Sequence, residues 1–131
     1  MQALFINAAE NCVTLVHLPS EVAAFNTEVN RLLQCTSHIY SIAKDKATKL
    51  IVDEECLTNE TNLAFLAPFM KRPLFGNALL IGRDPATGNT IDLPPGYNPI
   101  TIPITFFSRE QTSQYRLEAV EFAISVRNKR R

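Results

Sequence analysis

Residues 78–81, Ala-Leu-Leu-Ile, form an apolar run bounded by Gly76 and Gly82. Neither face of a strand built from them can meet water, so the run predicts a central strand covered on both sides and set deep in the core. A chain with such a strand must supply a cover for each face, and the remaining segments have to provide both.

Ala3 to Ile6 and Cys12 to Leu18 are short apolar runs on either side of the polar stretch 7–11, and they predict an antiparallel hairpin. After Pro19 and Ser20, the residues Val22, Phe25, Val29, Leu32 and Leu33 recur with the period of one helix face. Glu21, Asn26, Asn30 and Gln34 occupy the other face, so this helix lays one side on a sheet and turns the other to water. His38 to Ala43 and Leu50 to Val52 predict a second hairpin across the polar residues 44–49. Asp53, Glu54 and Glu55 end its second strand. Thr58 and Asn59 are N-cap types ahead of Leu63, Phe65 and Leu66, a pattern that predicts a short helix stopping before Pro68.

Beyond the central strand, Pro85 and Gly88 suit a reversal over residues 84–89 into a strand from Thr90 to Leu93. Pro94, Pro95, Gly96 and Pro99 then forbid regular structure. Ile100, Ile102, Ile104 and Phe106 alternate with Thr101, Pro103, Thr105 and Phe107, which predicts a half-buried strand with Pro103 at an edge or bulge. Ser108 with Gln111 offers a capping-box start to a last helix bearing Tyr115, Ala119, Phe122 and Val126 on one stripe. Val120, Phe122, Ile124 and Val126 also alternate as a strand would, so over residues 114–127 both patterns are present. The fold class expected is α+β: a mixed or mainly antiparallel sheet of five to seven short strands packed against one or two helices.

With 131 residues, 46% hydrophobic and 20% charged, the chain fits one folded domain spanning 1–131, far from the composition of disordered segments. Three cysteines, Cys12, Cys35 and Cys56, are an odd number at irregular spacing, which favours free thiols in a reducing cytoplasm over a disulfide framework. The N-terminal stretch lacks a basic region and its apolar run stops at Asn7, and no apolar stretch reaches bilayer-spanning length, so a soluble protein without a membrane partner is expected. Arg127, Lys129, Arg130 and Arg131 crowd the last five positions. Setting these four aside leaves nine basic against 13 acidic side chains in residues 1–126, a net charge of about −4. Such a tail suits either a solvated chain end or weak contact with nucleic acid, and the solvated end is the expected reading.

Chemistry-bearing patterns are sparse. Cys35-x-x-His38 has the spacing of half a zinc site, with Cys12, His17 and Cys56 the conceivable remaining ligands, but a second close-spaced pair is lacking and no metal is expected. Cys35 closes a helix at its C-terminal end, where a thiolate is disfavoured. Gly76 and Gly82 do not have the spacing of a phosphate-binding loop, and no cofactor is expected. Two clusters remain. Asp53, Glu54 and Glu55 are clustered carboxylates that serve either as a solvated turn or as acid–base groups. Asn59, Asn62 and Asn77 carry amides that cap local structure or line a pocket beside Phe65, Phe69 and Phe75.

Val52-Asp-Glu-Glu55, Asn62-Leu-Ala64 and Leu74-Phe-Gly-Asn-Ala-Leu-Leu-Ile-Gly82, followed by Gly88 and Asp92-Leu93, resemble an uncharacterised domain family of small phage, plasmid and bacterial proteins. The resemblance covers residues 3–93. The chain departs from it at Cys56, where a glycine commonly follows the paired acids, and over residues 94–131, which extend beyond the shared core. What it implies is a cytoplasmic accessory protein of mobile-element type, with no assigned activity and no catalytic residue to carry over. The expected function is a non-catalytic binding or inhibitory module that acts on a host protein, an anti-defence role among the options, or sequesters a small ligand. Homodimerisation through an edge strand or the last segment is compatible with it. The alternatives are a small hydrolase or transferase using Asp53, Glu54 and Glu55, and a nucleic-acid accessory protein using the C-terminal tail.

Overall fold

The computed structural model describes residues 1–42, 46–56, 59, 62–70 and 72–129, and of Ile42 and residues 122–129 it describes the backbone. The glycine-bounded run becomes β7 (Ala78–Arg83), with Ala78, Leu79, Leu80 and Ile81 all buried. One edge of β7 pairs antiparallel with β1 (Gln2–Asn7), placing Leu4 opposite Leu80 and Ile6 opposite Ala78. Its other edge pairs antiparallel with β4 (Thr48–Asp53), placing Leu50 opposite Leu80 and Val52 opposite Ala78. Both expected hairpins form: β1 joins β2 (Cys12–His17), and β4 joins β3 (His38–Ile42). The sheet therefore runs β2-β1-β7-β4-β3, with β8 (Thr90–Ile91) paired to the end of β7.

Alternation along these strands sends their side chains into two cores. On one face Ala3, Ile51, Leu79 and Ile81 meet Phe25, Val29 and Leu33 of α1 (Val22–Leu33). Glu21 caps this helix by accepting hydrogen bonds from the Ala23 and Ala24 amides at 3.2 and 2.8 Å. Val22, expected on the buried stripe, is 74% exposed, because as the first helical residue it precedes the turn that reaches the sheet. On the other face Leu4, Ile6, Leu50, Val52 and Leu80 meet Phe65, Ala67 and Met70.

This second cover corrects the expected helix over residues 58–66. Residues 57, 58, 60 and 61 lie outside the described residues, and Ala64–Leu66 is a strand, β5, paired antiparallel with β6 (Leu74–Phe75) and β9 (Thr105–Phe106) in a three-stranded sheet. Apolar residues at consecutive positions 63–67 suit a buried strand that supplies both a core face and ladder bonds, and this tertiary pairing overrides the cap-like Asn59. The expected strand over 100–107 shrinks to β9. Ile102 and Ile104 still pack on the core, but Ile100 is 91% exposed, and the Thr101 and Ile102 amides fold back onto the Asn98 carbonyl in a turn.

Residues 109–129 form α2 (Arg109–Lys129), so the helical pattern prevails over the alternating one. Its capping box is complete: the Ser108 amide donates to Gln111 Oε1 at 2.9 Å and the Gln111 amide donates to Ser108 Oγ at 3.1 Å. Thr112 is buried and its Oγ1 accepts a hydrogen bond from the Ala64 amide at 3.0 Å. Tyr115 stacks on Phe75 with ring centroids 5.5 Å apart. No helix among the described residues is long and apolar enough to cross a membrane.

Two substitutions test this architecture. A Cβ added at Gly82 would lie 2.1 Å from the Asp92 carbonyl oxygen, a backbone atom that the β7–β8 pairing holds in place. Gly82→Ala is expected to cost roughly 3 kcal/mol in urea unfolding, as overpacking against backbone does. Thr112→Val keeps the shape but strands the buried Ala64 amide, with an expected loss of about 1–3 kcal/mol. A neutral result for Thr112→Val would mean that α2 does not hold β5 through this bond.

Candidate ligand-binding cleft

Helix α1 ends in a left-handed turn. Gln34 has φ 54° and ψ 48°, its amide donates to the Arg31 carbonyl, and the next amide, Cys35, donates to Asn30 at 3.0 Å. This closure satisfies two terminal carbonyls, and it employs glutamine where glycine is the residue of least strain. The helix end faces the end of β4, where Asp53 pairs in register with His38. Asp53 Oδ1 accepts a hydrogen bond from the Glu55 amide at 2.9 Å, fixing the turn that follows the strand.

Between these two ends lies a cleft of about 380 Å³, lined by Asn30, Arg31, Gln34, Cys35, Thr36, Asp53, Glu55 and Asn59. An adjoining hollow of about 200 Å³ shares Gln34, Asp53 and Asn59 with it and adds Ala9, Leu33, Asn62, Leu63, Gly76 and Asn77. The walls are held by hydrogen bonds. Asn77 Oδ1 accepts from the Ala8 amide at 3.0 Å, and Asn62 Nδ2 donates to the Cys56 carbonyl at 3.1 Å. Gly76 has φ +83°, and a Cβ there would come within 2.9 Å of Asn62 Nδ2, so the absence of a side chain lets that amide lie against the backbone.

The fold thus gathers Asp53, Glu55 and Asn59 around the cleft, and Asp53, Asn59, Asn62 and Asn77 around the adjoining hollow. It does not bring the three phenylalanines to either. Phe65 is fully buried in the core, Phe75 is buried beneath Tyr115, and Phe69 is half-buried with its ring edge-on to Tyr97. Glu54 does not line the cleft; its amide donates to the Ser37 carbonyl. Of the tail, Arg127 and Lys129 belong to α2 and residues 130 and 131 lie outside the described residues.

Asn30 and Gln34 are lining residues that the sequence pattern assigns to a water-facing surface. Their i, i+4 spacing on the polar side of α1 was the available signal, and what it lacks is the position of the Asp53 turn. Asn30 Oδ1 lies 2.6 Å from His38 Nδ1 and 3.5 Å from Cys35 Sγ, and it accepts from both. That contact puts a ring proton of His38 on Nδ1, and burial holds the imidazole below its ordinary pKa. Burial, reinforced by the Asp53 carboxylate, pushes the Cys35 thiol up. A thiol whose thiolate is disfavoured in this way is a poorly activated nucleophile.

Cys12, Cys35 and Cys56 are free thiols, and among the described residues no three His, Cys, Asp or Glu side chains group as a metal site. Arg31 extends from the cleft rim toward Glu28, with its Nε 3.1 Å from each carboxylate oxygen. No family model, curated protein or solved structure matches this chain.

The thiol gives a direct check on the electrostatics. In a Cys12→Ser/Cys56→Ser variant, alkylation of Cys35 should show its rate midpoint above the ordinary thiol pKa of roughly 8.5. Adding Asp53→Asn should lower that midpoint without returning it to the ordinary value, because burial is the larger cause. A midpoint unmoved by Asp53→Asn would show that the carboxylate does not act on this wall of the cleft.

Proposed function

We propose that this chain is a non-catalytic binding module that retains a small polar ligand in the cleft between α1 and β4. The observation that carries the reading is the convergence of amides on the cleft and its adjoining hollow from separate parts of the chain: Asn30 from α1 and Gln34 from its C-cap, Asn59 and Asn62 from the segment before β5, and Asn77 from the entry to β7. Amides both donate and accept, so a wall built of them recognises a hydrogen-bonding molecule by pattern. Asn62 and Asn77 are anchored from behind by backbone groups, which lowers the cost of ordering them around a guest.

The raised Cys35 thiol argues against a thiolate nucleophile at this wall. The family resemblance supports a role as a cytoplasmic accessory protein of mobile-element type, for which sequestering a host metabolite or occupying a host protein are both fitting actions. The cleft favours the first of these.

Gln34 provides a further support. A left-handed C-cap that keeps a strained, long side chain where glycine would serve is a local compromise expected where the side chain itself is used. Native mass spectrometry of the untagged chain isolated from its own host's lysate should show an added mass of a few hundred daltons. Gln34→Gly should raise stability by roughly 0.5 kcal/mol while abolishing the added mass. A bare chain, or an added mass retained in full by both Gln34→Gly and Asn59→Ala, would overturn the reading. A co-purified protein in its place would move the function to a host-protein partner.

A further inference from the structure

We infer that the open edge of β3 is a self-association surface, on which a second copy of this chain pairs antiparallel about a two-fold axis at Tyr40. This surface is separate from the cleft, since no residue of β3 lines either hollow.

β3 stands last in the order β2-β1-β7-β4-β3, so one of its edges is bonded to β4 and the other is open among the described residues. The register decides which backbone groups that open edge presents. The Glu54 amide donates to the Ser37 carbonyl at 3.0 Å, continuing the register in which His38 faces Asp53. Hydrogen-bonded and non-hydrogen-bonded pairs alternate along an antiparallel ladder, so Ile39 and Ser41 direct their amides and carbonyls to β4. Those of His38, Tyr40 and Ile42 point outward. A second copy turned about a two-fold axis at Tyr40 matches all of them: His38 with Ile42 of that copy, Tyr40 with Tyr40, and Ile42 with His38, each pair exchanging amide and carbonyl. Moving the axis to Ile39 or Ser41 leaves Ile42 or His38 with no strand residue opposite.

The side chains favour the same cover. α1 rests on β4 and β7, and the sheet overhangs both cores at β3: Ile39 and Tyr40, on opposite faces, are 44% and 47% exposed and belong to neither core. At the other edge β2 packs Val13 on one core and Val16 on the other, and the end strands of the small sheet have two residues each. Open edges are commonly blunted by a lysine, a proline or shortness, yet β3 has five residues, none of them charged and none proline. In the paired form Tyr40 stands beside its copy, extending the edge-on contact of His38 and Tyr40 into an aromatic row on the α1 face. The two Ile39 side chains meet diagonally on the other face. Asp53 lies opposite His38 and Lys49 opposite Ile42, so the same axis sets each copy's Asp53 level with the other's Lys49. Salt screens charges so far apart, and their complementarity selects the antiparallel direction more than it adds affinity. A foreign strand is chosen through pockets for its alternate side chains, which neither hollow provides beside β3, whereas this edge is complementary to itself.

Sedimentation velocity of the full chain over a concentration series should show a monomer–dimer equilibrium, weak because a five-residue seam lies at the low end of interface size. Tyr40→Pro removes an outward N–H and no bond to β4, and Ile39→Lys puts a charge on an exposed position of the edge. Each should weaken association about tenfold or more. Leu15→Lys on β2 and Leu117→Lys on α2, both at exposed apolar positions, should leave it unchanged. Disulfide trapping reads the register. Ile39 falls opposite Ser41 of the second copy in a non-hydrogen-bonded pair, with Cα atoms about 4.5 Å apart and within disulfide reach. An oxidised mixture of Ile39→Cys and Ser41→Cys chains should give a covalent dimer that neither variant gives alone, because like positions meet only diagonally at roughly 7–8 Å. A chain that stays monomeric to its solubility limit, a dimer kept by both β3 variants, or one lost in Leu15→Lys or Leu117→Lys would overturn the assignment. So would trapping no stronger in the mixture than in the single variants, or open-ended oligomers, which pairing of β2 with β3 produces. A monomer holding a host protein that Ile39→Lys releases would give the edge to a foreign strand and overturn it as well.

Discussion

The fold depends on β7 being buried on both faces while hydrogen-bonded along both edges. Its Leu80 stands between Leu4 of β1 and Leu50 of β4, and its Leu79 stands between Phe5 and Ile51. Leu80 and Leu79 point into opposite cores, so one strand ties the β1–β2 hairpin to the β3–β4 hairpin and aligns α1 on one side with the small sheet on the other. A slip of one residue in β7 would exchange the two cores' side chains and misplace every neighbour. Asn77 precedes this strand and bonds to Ala8 at the far end of β1, which makes one wall of the cleft an extension of the most constrained part of the molecule.

Legibility in the sequence follows how local each determinant is. The apolar run of β7, the period of Phe25, Val29 and Leu33, and the Ser108–Gln111 box all carry their message within a dozen residues, and all form as those patterns imply. The segment around Ala64–Leu66 does not, because its partners Leu74–Phe75 and Thr105–Phe106 are distant in sequence and its amide is claimed by Thr112 of α2. Nothing within residues 58–66 announces those partners, so cap-type residues ahead of apolar ones read as a helix. Pro103 is the reverse case: it weakens the strand read from alternating isoleucines, and regular pairing begins only at Thr105.

The cleft was legible in its parts and hidden in its assembly. Asp53, Glu55, Asn59, Asn62 and Asn77 stand out as polar residues at element ends, where side chains are free to cap or to bind. Their meeting with Asn30 and Gln34 is set by the packing of α1 across β4 and β7, a relation that no periodicity contains. The phenylalanines mislead for a related reason. Aromatic residues close in sequence to polar ones suggest a shared pocket, yet burial of Phe65 and Phe75 is worth more to the second core than to a small exposed depression.

Support for the cleft extends to the last helix. Arg116 of α2 donates from Nη2 to the Asn62 carbonyl at 2.9 Å, and its guanidinium carbon lies 4.8 Å from the centroid of the Phe75 ring. Its Nε is buried without a hydrogen-bond partner among the described residues, a cost on the order of 1–3 kcal/mol that the carbonyl bond and the ring contact offset. Asn62 is therefore gripped twice, by Arg116 through its backbone and by Cys56 through its side chain, while Gly76 leaves room for it to lie flat. A residue so held contributes its remaining acceptor at a defined point. The C-terminal helix, beyond covering the small sheet through Thr112 and Tyr115, thereby sets the geometry of a wall that the first helix and the central strand complete.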